Sequence, residues 1–183
     1  MALAGVATFI AVVVTLHFLQ PGYDPSTQLM SELALGRYGG AMTVAFGGLA
    51  VAVFGIQASI GAMGTGKGLR AVLVGAAAAF LAAGSFPLGA ASEVHIAAIA
   101  TAFILSVLAM YLFPAMAGPA SQIAPRTVSW GLAAGVAVSV ALGHSVLPMG
   151  IGQRAAACFL LLWLTIVGWR LTRVSVRSEG TLA

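Results

Sequence analysis

Three histidines, three acids and one arginine stand near the ends of apolar runs: His17, Asp24, Glu32, Glu93, His95, His144 and Arg154. A carboxylate beside an imidazole can trade a proton, and a guanidinium can hold a carboxylate or an anionic head in its planar fork. Glu32 and His95 are therefore the acid/base candidates, with Arg154 as their anion or carboxylate partner, and these three form the candidate catalytic set. His17, Tyr23, Ser31, Glu93 and His144 are the candidate substrate-binding groups. An unpaired charge pushed toward hydrocarbon costs about 2–3 kcal/mol, so Glu32, His95 and Arg154 are expected to meet one another.

Each residue also has a plainer account. Asp24, just before Pro25, is placed to cap a helix, and Glu93 suits a first helical turn, where the dipole favours an acid. His17 on an apolar helix suits a hydrogen-bonded packing role, and a salt-bridge cluster locking helices together would use Glu32, His95 and Arg154 equally well. Three histidines and a carboxylate match the ligand types of zinc. None of them shares a metal-binding helical spacing, so no metal site and no cofactor are predicted, and zinc stays an alternative. A serine hydrolase would need Ser31, Ser92 or Ser145 beside a histidine and an oxyanion hole, yet the adjacent His144 and Ser145 diverge on a helix.

The elements that must position these groups are membrane helices. The 183 residues are 61% hydrophobic and only 7% charged, with a mean hydropathy of +1.07. A soluble surface needs roughly 25% charged residues, so this chain cannot be solvated as a globular domain. Spans are expected at about 3–20, 39–63, 71–89, 93–116, 128–147 and 153–171, followed by a basic tail over 172–183. The fold class is an all-α membrane protein: a six-transmembrane-helix bundle in one domain, with a short interfacial or re-entrant helix after the first span. That helix is expected over Pro25–Leu35, with Gln28, Ser31, Glu32 and Leu35 on one face and Leu29 and Leu33 on another. Residues 1–19 lack the basic start of a cleavable signal peptide and read as a retained span. Cys158, inside an apolar run, reads as a small buried hydrophobe.

Charge sets the expected orientation. Lys67, Arg70, Arg126, Arg170, Arg173 and Arg177 fall on the side of the termini, against Arg37 and Arg154 on the other. The excess puts both termini in the cytoplasm of a cell-membrane protein, and it explains the net charge of +4 without nucleic acid as a partner. All three histidines, Asp24, Glu32 and Glu93 then collect at the outer end. Gly61 to Lys67 imitates a phosphate-binding loop, but Gly68 replaces the Ser or Thr that would hold magnesium, and no strand precedes it.

Pro21-Gly22-Tyr23-Asp24-Pro25 followed by Ser31-Glu32-Leu33, Phe86-Pro87, His95, and Gly152-Gln153-Arg154 with Trp163 resemble the bacterial membrane family known as domain of unknown function 998. The resemblance covers nearly the whole chain. It implies a multi-span helical membrane protein and, by its name, no settled activity. The chain departs from the pattern at Leu88-Gly89, where an acid is expected after the Phe-Pro pair, and Glu93 is the nearest substitute. The functional expectation is an outer-side polar pocket that binds, or transforms, a lipid or other apolar small molecule, with membrane lipids as partners. The alternative is a non-catalytic assembly partner or small carrier whose polar cluster is structural. A secondary transporter would need a more polar midplane than spans two to four offer.

Overall fold

The computed structural model describes residues 1–179, with side chains through 174. Its helices are α1 (Ala2–Leu19), α2 (Ala41–Ala62), α3 (Lys67–Ser85), α4 (Ser92–Met116), α5 (Arg126–Ser145) and α6 (Met149–Glu179). Two short 3-10 helices, Met30–Leu35 and Gly118–Ile123, join α1 to α2 and α4 to α5. No strand occurs among the described residues. All six α-helices are long and apolar enough to cross a bilayer. This is a multi-helix membrane protein.

Long apolar stretches make the helices, and turn residues end them. Proline cannot donate to the helix ladder, so α1 stops before Pro21, and Gly22 then takes a φ of +77°, which favours glycine. Packing follows the chain, each helix lying against the next, with α2 at the centre and touching α1, α3 and α6. Without water to drive apolar faces together, contact depends on close backbone approach. Glycine supplies it at two seams: a Cβ on Gly5 would stand 2.7 Å from the Ala52 nitrogen, and one on Gly143 would stand 3.0 Å from the Gly152 Cα. Gly168, in the later part of α6, lies against Ala2, so the start of α1 and the later part of α6 share one face of the bundle. We call it the termini end, and the opposite face the distal end.

One seam is looser than the rest. α4 meets α5 much less extensively than α5 meets α6, and it barely touches α6. Its ties lie toward the termini end. Tyr111 stacks on Trp130 with ring centres 5.3 Å apart, and Phe113 packs edge-on against Trp163 at 5.5 Å. Trp163 Nε1 donates to Ser129 Oγ at 3.1 Å, completing this buried clasp.

Two expectations need correction. The short helix starts at Met30, not Pro25, for a reason given below. The helix α6 continues past the expected span boundary at 171 through Glu179, and residues 180–183 of the expected tail lie outside the described residues. Cys158 is exposed on the outside of the bundle rather than buried, because its neighbours Ala156, Ala157 and Leu160 face the core instead.

Candidate functional site

The last turn of α1 and the first turns of α6 stand side by side at the distal end, and the chain from Gln20 to Met30 is folded between them. Arg154 is its centre. Nη1 donates to the Gln28 carbonyl at 2.8 Å and to the Gly150 carbonyl at 3.0 Å. Nη2 donates to the Tyr23 hydroxyl and to His17 Nε2, the latter at 3.1 Å. His17 Nδ1 lies 2.6 Å from the Val13 carbonyl, which can only accept. Nδ1 therefore carries the hydrogen, and Nε2 turns its lone pair to the arginine. Tyr23 passes its own hydrogen on to the Leu29 carbonyl at 2.8 Å, with its ring edge-on to His17.

The start of α6 also grips the loop by its backbone. Gln153 Oε1 accepts from the Met30 N–H at 2.6 Å, and the Ser26 carbonyl accepts from the Ile151 N–H at 3.1 Å. Gly150 leaves no room for a side chain: a Cβ there would stand 2.6 Å from the Gln28 and Pro25 carbonyl oxygens. Loop 25–30 is thus seated in a socket made by residues 150–154. The socket also explains the late helix start. Met30 gives its N–H to Gln153 rather than to a carbonyl one turn back, and Leu29 is left extended, with a ψ of 149°.

Asp24 and Glu32 serve the same loop. Glu32 is half-buried and accepts from the Leu29 N–H at 2.8 Å and the Gln28 side-chain amide at 3.2 Å, so it caps its own short helix. Asp24 is exposed and accepts from the Ser26 hydroxyl at 2.6 Å, the Ser26 N–H at 2.9 Å and the Thr27 hydroxyl at 2.8 Å. The bonds from Ser26 chiefly, then Thr27, hold its carboxyl below the ordinary 3.8. Burial pushes the Tyr23 phenol up, against the opposing pull of its bond from Arg154. A depressed carboxylate stabilises the fold above its ordinary value and stops doing so as pH falls through the folded value. Protection of the amides at residues 26–28 against hydrogen exchange, relative to their intrinsic rates, should therefore begin to fall only as pH drops below 3.8. Asp24→Asn should show the faster exchange already at neutral pH, and equal exchange in both proteins would refute the cap.

His95 is elsewhere. It is 1% exposed on the first turn of α4, with Nδ1 2.9 Å from the Ala83 carbonyl and 3.2 Å from the Phe86 carbonyl. Its ring meets Phe46 edge-on at 5.4 Å, and its Nε2 is buried without a partner.

The expected meeting of Glu32, His95 and Arg154 does not occur. None of the three bonds to another: Arg154 is filled by neutral acceptors, Glu32 caps, and His95 is turned to the end of α3. Arg154 instead gathers His17 and Tyr23. Glu93 and His144 are exposed, and His144 and Ser145 bond back to the Val140 and Ala141 carbonyls of their own helix. Ser92 accepts from the Gly89 N–H at 3.0 Å, closing the turn before α4. Among the described residues no three His, Cys, Asp or Glu side chains gather as a metal site would require. Gln28 and Gln153 are the site residues that sequence reasoning did not single out. The available signal was a Gln-Arg pair opening an apolar span, where uncharged helix formers would serve as well.

Beneath the loop lies a narrow apolar cleft with about 20 Å³ of space that a water could occupy. Phe9 of α1, Met42 and Phe46 of α2, Ile99 and Phe103 of α4, and Leu160 of α6 form its walls. Ser31 and Gln153 are its polar liners, at the end under the short helix. The Ser31 hydroxyl and the Gln153 amide nitrogen bond to nothing else among the described residues.

No curated protein and no solved structure matches the chain. The two blocks that make the loop and its socket, Ser31-Glu32-Leu33 and Gly152-Gln153-Arg154, are among those that carry the resemblance noted from the sequence. The model of the family described as Protein of unknown function (DUF998) matches residues 3–170, nearly the whole bundle, and the chain belongs to that family.

Proposed function

We propose that this protein binds a membrane amphiphile, with the apolar chain in the cleft between α1, α2, α4 and α6 and the polar end under the Met30–Leu35 helix. The observation that carries this reading is the cleft's make-up: apolar walls closed at one end by two polar side chains with unused bonding capacity. Ligand sites combine mostly apolar walls with a few placed polar groups in this way. At about 20 Å³ the inner space holds little more than a water, so an occupant must widen it. The loose distal part of the α4 seam is where that widening is cheapest, because the clasp at Phe113, Trp163 and Tyr111 holds only the other end.

Arg154 on this reading is a positioning residue. All four of its terminal N–H groups are engaged by protein, leaving it no fork for an anionic head. Glu32 likewise shapes the loop. The assembly-partner reading keeps one argument, since the same network locks α1 to α6.

Ala157 lines the cleft, is 6% exposed, and offers a place to fill it. Protein purified in mild detergent should carry a co-purifying amphiphile, and Ala157→Leu should lose at least most of it while still melting cooperatively. Equal amounts in both proteins would sink the reading.

We also infer that the distal end faces outward. The support is the bias of Lys67, Arg70, Arg126, Arg170 and Arg173 toward the termini end. In a Cys158→Ala background, an impermeant thiol reagent on intact cells should label Ala90→Cys and spare Gly66→Cys, both exposed turn positions. Labelling in the reverse pattern would invert the orientation.

A further inference from the structure

We propose that His95 is the head-group acceptor of this site, and that it selects amphiphiles ending in a hydrogen-bond donor: a hydroxyl or an uncharged N–H. The proposal rests on the cleft reading above and adds to it the chemistry of the ligand's polar end.

Both partners of His95 Nδ1 are carbonyl oxygens, at 2.9 and 3.2 Å, and a carbonyl offers no hydrogen. Nδ1 must therefore be the N–H, shared between Ala83 and Phe86. In the neutral ring this makes Nε2 a bare acceptor. Nε2 is thus a buried lone pair with no donor within reach. Such groups are rare in folded proteins and call for an explanation.

Its position supplies one. His95, Ile99 and Phe103 recur every four residues and so share one stripe of α4, and the second and third of them line the cleft. Phe46, which packs against the His95 ring, lines it too. His95 therefore stands at the distal rim of the cleft wall, on the same side of the bilayer as Ser31 and Gln153. A ligand hydroxyl can donate to Nε2, and the Ser31 hydroxyl and the Gln153 amide, both unused, line the same end of the cleft. An ionised carboxylate or phosphate has only acceptor oxygens to offer and cannot satisfy Nε2. An ester or ether end fails for the same reason. Nε2 is buried in this structure, so the side chains packed over it must shift for the contact to form.

The test uses the full-length protein in detergent with three probes of one chain length: dodecanol, methyl dodecyl ether and dodecane. Wild type should bind dodecanol about tenfold more tightly than the ether, the value of one good buried hydrogen bond. His95→Phe should erase that preference, so that alcohol and ether bind alike. No binding of any probe to wild type would overturn the cleft reading itself. Equal binding of alcohol and ether to wild type, or a preference that survives in His95→Phe, would overturn the head-group assignment alone. Should His95→Phe fail to fold, the nitrogen NMR signals of wild-type His95 decide the matter. Nε2 should show the unprotonated form and shift toward the bonded form as dodecanol, but not the ether, is added. A protonated Nε2, or one indifferent to the alcohol because only water serves it, would overturn the assignment.

Discussion

Gly150→Val should lower the stability of the detergent-solubilised protein by at least about 2 kcal/mol, toward the top of what overpacking usually costs. A new Cβ would arrive 2.6 Å from the Gln28 and Pro25 oxygens and 2.7 Å from the Ser26 oxygen. These are backbone atoms and cannot rotate away as a flexible side chain can. Either loop 25–30 lifts from α6 or α6 shifts. In both cases the bonds from Arg154 to Gln28, from Ile151 to Ser26 and from Gln153 to Met30 are lost together. Gly47→Ala is the control, because a Cβ there meets nothing within 4 Å. It should be neutral or slightly stabilising, as alanine favours a helix interior over glycine by about 1 kcal/mol. Equal melting of wild type and Gly150→Val would remove the socket from the account.

Arg154→Gln should cost on the order of 3 kcal/mol. Hydrogen bonds to a charged group contribute about 1.5–3 kcal/mol each, and losing several at once leaves carbonyls and an imidazole without donors. Coupling separates this account from an ion pair. Tyr23 and His17 bond Arg154 directly, so Tyr23→Phe should add little once Arg154 is gone. Glu32 makes no bond to Arg154 and is linked to it indirectly, through Gln28, whose side chain donates to Glu32 and whose carbonyl accepts from Arg154, and through Leu29 and Tyr23. Glu32→Gln should therefore remain close to additive with Arg154→Gln. Strong Glu32–Arg154 coupling with none to Tyr23 would mean that the arginine pairs with the acid after all.

The span pattern was legible because a bilayer imposes it. Backbone groups in hydrocarbon must be satisfied within a helix, so long apolar runs such as 41–62 have one outcome. The distal gathering of polar side chains was legible too, since counting spans fixes which helix ends share a face. What the sequence did not disclose was pairing within that face. Charge alone suggested Arg154 with Glu32, but the deciding partners are carbonyls of Gln28 and Gly150, and every residue carries a carbonyl. The start of the short helix was hidden for the same reason, because it depends on Gln153, far along the chain, taking the Met30 N–H. His95 stood out by type and position, but its bonding rests on which nitrogen holds the hydrogen. Only the two carbonyls at the end of α3 reveal that.

The central claim is that the chain of an amphiphile lies inside the bundle under the loop, not merely around it. The most direct measurement is photo-crosslinking of the purified protein with a long-chain alcohol carrying a diazirine at its chain end, followed by mapping of the adducts. The account predicts adducts on Phe103, Leu160 and Leu161, which line the cleft, and their loss in Ala157→Leu. Adducts confined to outward residues such as Ile104, 67% exposed, and Val138, 55% exposed, and unchanged in Ala157→Leu, would contradict it.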